Sequence, residues 1–183
     1  LDPSRKFYVP DQVLEVTMAI KANDVPALGY VQYSIDTQKD SHKETADKKV
    51  LENKYYTIEV EENGSLTIVD KANNVTYKNQ GILVENGDDG DSFNYSPPRK
   101  DMEVFSNESE SSVKISGSDV YSQAVIHFDM VVPENLEERA EGKVSVTMPV
   151  DMTVALRKGS KVIDFNVKVD NKGLSHRLCV VFD

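Results

Sequence analysis

The chain has 183 residues, enough for one sizeable domain, or one domain and a small addition, with its own hydrophobic core. Its formal net charge of −10 argues against a surface for nucleic-acid phosphates, and its longest apolar runs are interrupted too often to span a membrane. The single cysteine, Cys179, excludes an internal disulfide and a cysteine-rich zinc site, and it favours a cytoplasmic protein.

Alternation of apolar and polar residues dominates the sequence and no helical stripe is evident, which predicts an all-β chain. The first predicted strands cover residues 14–20 and 30–35, with turn geometry supplied between them by Pro26 and Gly29. Residues 37–49 contain no apolar side chain larger than alanine, so they cannot fill a core. We therefore predict strands of a small β-sandwich in residues 1–36, a polar linker in 37–49, and the first part of a large sandwich in 50–183.

Beyond this linker, the sequence predicts a large antiparallel sandwich, because many strands follow one another without intervening helices. Tight hairpins are predicted at Asn63-Gly64 and at Lys158-Gly159-Ser160. Residues 134–142 could form a single helical turn, but nine residues ending in glycine favour a solvated loop. The predicted strands of this part are residues 56–60, 66–68, 75–77, 82–85, 102–105, 112–115, 123–132, 143–156, 161–169 and 177–182.

The sequence NGDDGDSFNYSPP, residues 86–98, holds the densest group of chemically active side chains, and we name it the Asp-rich loop. Asp88, Asp89 and Asp91 lie within four positions, and such like charges need a compensating partner. A cation such as Ca²⁺ is one candidate, and a sugar bound by the carboxylates and stacked on Phe93 or Tyr95 is another. The third possibility is a solvated turn whose carboxylates bind their own backbone amides.

No complete catalytic apparatus is evident elsewhere in the sequence. The three histidines, His42, His127 and His176, are far apart and do not suggest a metal site. We expect His127 to be a strand residue, and His176-Arg177 to begin a strand and form a salt bridge with a neighbouring carboxylate. The Cys179 thiol, in the apolar run LCVVF, is expected to be buried and inert.

Four segments together resemble the C-terminal β region of bacterial glycoside hydrolase family 38, the α-mannosidase and mannosylglycerate hydrolase group. They are VPALGY (25–30), LENKYYTIEVEENGSLTIVDK (51–71), GDDGDSFNYSPP (87–98) and SHRLCVVF (175–182), in the family's order and spacing. The resemblance implies a small β-sandwich followed by a large, here incomplete, sandwich of the galactose-mutarotase-like kind. It also implies a longer parent protein.

In that family the nucleophile, the acid/base and the zinc ligands belong to regions upstream of this β region. The resemblance therefore implies no catalytic residue and no metal ligand in this chain, with Zn in the upstream catalytic domain. It implies that the Asp-rich loop approaches the sugar cleft, with Asp88 and Asp91 facing the cleft and Tyr95 and Arg177 in support.

Two positions depart from the family's pattern. Phe93 stands where relatives commonly carry tyrosine, and Cys179 stands where they commonly carry arginine. Both changes remove a polar group that could contact sugar.

The resulting prediction is a non-catalytic β fragment of a retaining, zinc-dependent α-mannosidase-like glycoside hydrolase, inactive alone. Its partners would be an α-mannoside substrate and the upstream catalytic domain in the same polypeptide, with no nucleic acid and no membrane. The alternative is a free-standing carbohydrate-binding or adhesive sandwich. The absence of tryptophan, the ring most used for sugar stacking, argues against that alternative.

Overall fold

The computed structural model describes residues 20, 22, 24–34 and 49–182. The chain divides into two compact units, Leu1–Thr37 and Gln38–Asp183. Most of the predicted strand 14–20 and nearly all of the linker 37–49 lie outside the described residues. The division into residues 1–36, 37–49 and 50–183 stays a prediction.

In the first unit the structure shows the predicted turn, but not the strand that should follow it. Gly29 N donates to Pro26 O at 3.1 Å, which closes the turn. Residues 30–34 are not part of a β-strand, so the prediction of a strand over 30–35 is wrong for them. A strand needs a partner to satisfy its backbone groups, and no described residue of this unit provides one.

The second unit begins with a sheet of four antiparallel strands in chain order, β1 to β4. Val60 pairs with Leu66 across the predicted Asn63-Gly64 hairpin, and Gly64 has the positive φ of +80° that this turn requires. The prediction of this hairpin is confirmed. The strands are β1 (Val50–Glu52), β2 (Tyr56–Val60), β3 (Leu66–Asp70) and β4 (Val75–Gln80).

A second sheet has the order β10-β9-β8-β7 and contains the two longest strands. The predicted turn around Gly159, with φ of +86°, joins β9 to β10. The strands are β7 (Glu110–Gly117), β8 (Tyr121–Val132), β9 (Val146–Arg157) and β10 (Ile163–Val169).

A third, three-stranded sheet has the order β11-β5-β6 and carries the Asp-rich loop. The loop leaves the central strand of this sheet and returns toward β6. The strands are β5 (Ile82–Gly87), β6 (Val104–Phe105) and β11 (His176–Val181).

Residues 134–142 contain a short helix, α1 (Leu136–Glu141), where a solvated loop was expected. Asn135 Oδ1 accepts hydrogen bonds from the Glu137 and Glu138 amides, both at 3.0 Å, and Gly142 ends the helix in the left-handed conformation. Glu138 also reaches back to the Glu134 amide at 3.0 Å. The prediction of a loop is wrong because these caps stabilise a helix too short to be evident from periodicity.

One hydrophobic core joins the sheets, so the prediction of an all-β, antiparallel sandwich is confirmed. The first sheet packs against the second at Gly64, where an added Cβ would lie 2.4 Å from the Phe128 ring. The buried apolar residues are Leu51, Ile58, Val60, Leu66, Ile68, Leu83, Ala124, Ile126, Phe128, Met130, Val132, Met148, Val150, Met152, Val154 and Leu156. Among the described residues, no helix is long and apolar enough to cross a membrane.

Candidate functional site at the Asp-rich loop

The Asp-rich loop is attached to the sheet at the end of β5, next to the start of β11. Gly87 is paired with His176, and Asn86 is paired with Arg177. The Asp88 amide continues this contact by donating to Ser175 O at 2.9 Å. The two strands therefore bring the first residues of the loop and the His176-Arg177 pair to one edge of the fold.

The Asp88 carboxylate closes the loop on itself. Its Oδ1 accepts the amides of Gly90 at 2.9 Å and Ser96 at 3.1 Å, while Asp89 N donates to Ser96 O at 2.7 Å. The Ser96 and Gly90 amides, with the nearby Arg177 charge, lower the pKa of Asp88. Asp88 is therefore a carboxylate at neutral pH.

Asp91 forms a second small turn inside the loop. Its Oδ1 accepts the amides of Phe93 at 2.8 Å and Asn94 at 2.9 Å. Both aspartates thus bind their own backbone, as expected for a solvated Asp-Gly turn. Among the described residues, no side chain or amide donates to the Oδ2 atom of Asp88 or of Asp91, so each keeps one oxygen for another partner.

Gly90 occupies a position with no room for a side chain. An added Cβ would lie 1.9 Å from Asn94 O and 2.9 Å from both Asp88 Oδ1 and Ser96 N. The glycine is needed here for the close approach of two backbone segments. The path of the loop therefore depends on this residue.

Tyr95 and Arg177 meet beside Asp88. The Arg177 guanidinium lies 3.6 Å from the centre of the Tyr95 ring, and its Nε donates to Asn86 Oδ1 at 2.8 Å. The two Nη atoms of Arg177 have no partner among the described residues. Tyr95 is 43% exposed and Phe93, at the outer part of the loop, is 93% exposed.

The structure therefore brings together Asp88, Tyr95 and Arg177, three of the four residues that the sequence indicated. Asp91 shapes the neighbouring turn. Carboxylate oxygens, guanidinium N–H groups and two exposed rings are the groups that bind sugars. Whether any of the four contacts a ligand stays a prediction.

A buried polar cluster under the loop is not evident from the sequence. Arg139, on α1, forms an ion pair with Glu85 on β5, and both side chains are almost completely buried. His176 Nδ1 lies 3.1 Å from Glu85 Oε1, and His176 Nε2 lies 2.8 Å from Asn171 Oδ1. The expectation that His176-Arg177 begins a strand is confirmed, and the Glu85 carboxylate lies beside His176, but His176 Nδ1 forms no hydrogen bond with a described residue.

The remaining candidates lie away from the loop. His127 is a strand residue, as expected, with Nδ1 2.7 Å from Asp151 Oδ1, and its pKa is raised mainly by the hydrogen bond to Asp151. Cys179 is exposed, so the expectation of a buried thiol is wrong. Leu178 and Val180 of β11 face the core instead, which places Cys179 on the outer face.

His42 lies outside the described residues. No group of three or more His, Cys, Asp or Glu side chains is placed to hold a metal ion in the described ranges 24–34 and 49–182.

The chain is similar to known proteins in both sequence and structure. At the level of sequence, the chain is 24% identical to a putative mannosylglycerate hydrolase of Halalkalibacterium halodurans, covering 72% of this chain and 17% of that protein. At the level of structure, it is similar to a glycosyl hydrolase family 38 protein from Enterococcus faecalis, with a TM-score of 0.68 and 21% identity over 83% of this chain and 20% of that one.

An α-mannosidase from E. faecalis V583 is similar with a TM-score of 0.67 and 22% identity, over 83% of this chain and 19% of that one. The chain thus spans only about a fifth of the length of these relatives. A sequence model described as the glycosyl hydrolases family 38 C-terminal domain matches residues 51–183. Since that match covers most of the chain, the chain belongs to glycosyl hydrolase family 38, of which it carries C-terminal domain sequence.

Proposed function

We propose that this chain is the β region of a longer, retaining, zinc-dependent α-mannosidase-like glycoside hydrolase, and that its Asp-rich loop contributes to the sugar-binding cleft. The family match and the named relatives support an enzyme that acts on an α-mannoside. In this proposal the chain supports the catalytic domain and is inactive alone. A cytoplasmic location is part of the proposal and is supported by the single cysteine.

The observation that carries the proposal is the set of free polar atoms at the loop. Asp88 and Asp91 each use one oxygen to shape the loop, and no described residue donates to the other oxygen. Arg177 is held by its Nε and by the Tyr95 ring, and its Nη atoms have no acceptor within the described part of the chain. Such fixed acceptors and donors beside exposed aromatic rings suit the hydroxyl groups and the apolar face of a sugar ring.

The covalent glycosyl-enzyme chemistry belongs, in this proposal, to residues outside this chain. The described residues do not offer a zinc site, because no suitable group of His, Cys, Asp or Glu side chains is found among them. In this proposal the metal belongs to the catalytic domain of the longer protein, as the family resemblance implies, and no chemical step is assigned to any residue of this chain.

The substitution Asp88→Asn tests the sugar contact in the longer enzyme. An asparagine Oδ1 can still accept the Gly90 and Ser96 amides, so the loop keeps its shape while it loses the negative charge. We expect kcat/KM for an α-mannoside to fall at least tenfold, roughly 1.4 kcal/mol of transition-state stabilisation. Asp91→Asn, which also preserves its Oδ1 acceptor, is expected to lower kcat/KM in the same direction.

Asp70→Asn is the matched control for these variants. Asp70 Oδ1 accepts the amides of Ala72 at 2.8 Å and Asn73 at 3.1 Å in the turn between β3 and β4, as the loop aspartates do in theirs. Its Oδ2 differs, because it accepts from Asn73 Nδ2 at 2.8 Å. If Asp88→Asn and Asp91→Asn both leave kcat/KM within twofold, as Asp70→Asn should, the loop does not contact the sugar.

Titration of this chain alone with mannosides separates the two functional classes. The proposed role predicts no turnover and weak binding at best. Tight binding by the isolated chain would favour a carbohydrate-binding module, and hydrolysis by it would contradict the division of labour proposed here.

A further inference from the structure

The buried cluster under the Asp-rich loop consists of Glu85, Arg139, Asp101 and His176, none of which is used by the site above. The exposed fraction of the side chain is 0% for Glu85, 1% for Arg139, 6% for His176 and 25% for Asp101. Charged side chains are almost never buried to this degree unless they are paired.

Arg139 connects the segment that leaves the sheet to the segment that returns. Its Nη2 is paired with Glu85 near the end of β5, and its Nη1 donates to Met102 O at 2.6 Å, just after the loop. The same Nη1 lies 3.4 Å from Asp101 Oδ1, which in turn accepts the amides of Gly87 at 3.0 Å and Met102 at 2.8 Å. One guanidinium thus fixes both ends of the loop.

The aliphatic part of Arg139 also packs closely against Gly87, and Pro98 at the other end of the loop lies beside the same glycine. A Cβ added to Gly87 would lie 2.6 Å from Arg139 Cδ and 2.7 Å from Pro98 Cγ. There is room for the arginine only because residue 87 has no side chain. The close packing defines the direction in which the chain leaves β5.

The cluster reaches the second part of the site through β11. His176 lies against Glu85, and the next residue, Arg177, carries the guanidinium that stacks on Tyr95. Glu85 therefore lies beside both the arginine that contacts the ends of the loop and the residue that precedes Arg177.

Energy alone does not explain why an ion pair occupies this position. Removing two charges from water largely cancels their attraction, and apolar residues of similar size are often as stabilising as a buried ion pair. An ion pair that adds little stability, but whose hydrogen bonds require a particular direction, can still fix the positions of the chain segments that it connects.

We propose that Arg139 is a positioning residue of the glycosidase: paired with Glu85, it holds the Asp-rich loop in place over β5 and so sets the position of the sugar-binding groups. This inference rests on the proposed function for its effect on activity. Its structural part, the anchoring of the loop, does not.

The test uses the longer enzyme with two variants, Arg139→Lys and the double variant Glu85→Leu/Arg139→Met. The double variant removes the two fully buried charges together, and Asp101, which loses its arginine, is 25% exposed and keeps the Gly87 and Met102 amides, so the variant is expected to fold. Lysine keeps the positive charge for Glu85 but cannot bridge two acceptors in the planar arrangement of a guanidinium. The matched control is Asp164→Leu/Arg157→Met, which removes an exposed ion pair of 3.0 Å on β9 and β10.

We expect both Arg139 variants to keep the wild-type hydrogen exchange in peptides from β8 and β9, and to exchange at least tenfold faster in peptides that cover residues 86–98. We expect kcat/KM to fall at least tenfold, mainly through kcat, because a displacement of about 1 Å in a binding group can cost roughly 100-fold in rate. The control variant should match the wild type in both measurements.

Unchanged loop exchange in either folded variant would overturn the proposal, and so would faster loop exchange with unchanged kcat/KM in an active enzyme. If the wild-type enzyme does not hydrolyse α-mannosides, the proposed function fails, but the exchange measurement still decides whether Arg139 anchors the loop. If the double variant does not fold, Arg139→Lys decides the outcome by the same two measurements.

Discussion

Replacing Gly90 with alanine should impair the sugar contact that we propose for the Asp-rich loop while the sheets stay intact. The new Cβ would lie 1.9 Å from Asn94 O. The two segments must separate by about 1 Å to accommodate it, and a displacement of that size in a binding group can cost roughly 100-fold in rate. We therefore expect a fall in kcat/KM of between about tenfold and 100-fold in the longer enzyme.

The cost in stability should be small by comparison. The separation weakens three hydrogen bonds, those of the Gly90 and Ser96 amides to Asp88 and that of Asp89 N to Ser96 O. At about 1 kcal/mol for each bond, the loss is at most about 3 kcal/mol, and it is less if water replaces these exposed bonds. For a domain of this size, each 1 kcal/mol lowers Tm by roughly 2–4 °C.

Gly159→Ala is the matched control, because a Cβ at residue 159 meets nothing within 4 Å but the residue has φ of +86°. It should lower the stability by about 1–2 kcal/mol through backbone strain and leave kcat/KM unchanged. Steady-state kinetics and thermal unfolding of the two variants, measured well below both transitions, separate a local effect on the loop from a general loss of stability. If Gly90→Ala retains more than half of the wild-type kcat/KM, the exact path of the loop does not matter for activity.

Three further predictions concern parts of the fold away from the loop. Gly64→Ala combines a positive φ with a contact of 2.4 Å between the new Cβ and the Phe128 ring, so it should lower the free energy of unfolding in urea by about 2–4 kcal/mol. Gly142→Ala, at a similar φ but with free space around the Cβ, should lower it by only about 1–2 kcal/mol. Equal effects of the two substitutions would show that the Phe128 ring moves aside freely. Because the pKa of His127 is raised in the folded state, its pairing with Asp151 stabilises the fold below about pH 6.5, and this contribution is lost as the pH rises through the folded-state pKa. In the Asp151→Asn variant, NMR titration of the imidazole should give a midpoint closer to about 6.5. The pair is half-exposed, so its contribution to stability should be less than about 1 kcal/mol. The exposed Cys179 should react fully with a thiol reagent in the native protein at the rate of an accessible thiol, and protection until unfolding would contradict its position on the outer face of β11.

The local features of the fold could be predicted from the sequence because they depend on neighbouring residues. Asn63-Gly64 and the turn at Gly159 connect adjacent strands, and alternation identified β8 and β9 within a few residues of their ends. The hydrogen bonds of Asp88 and Asp91 to their own backbone are equally local. The turn that they form was one of the three possibilities evident from residue types alone.

The remaining features depend on contacts that a sequence does not display. Glu85 follows an apolar run, residues 82–84, at the polar end of β5, where a carboxylate is expected to be solvated, yet it is buried against Arg139, 54 positions away. The helix that carries Arg139 was missed because its stability comes from end caps and not from an apolar stripe. Cys179 was misplaced because an apolar run does not reveal which of its alternating residues face the core.

The separations along the chain at the base of the Asp-rich loop have a consequence for the order of folding. Its contacts join residues 38 positions apart for Arg139 and Asp101, 54 for Arg139 and Glu85, and 91 for Arg177 and Asn86. Closing such distances costs more chain entropy than closing the hairpins, whose partners are only a few residues apart. The hairpins should therefore form early, and the loop should reach its native position in the last, slowest phase of refolding.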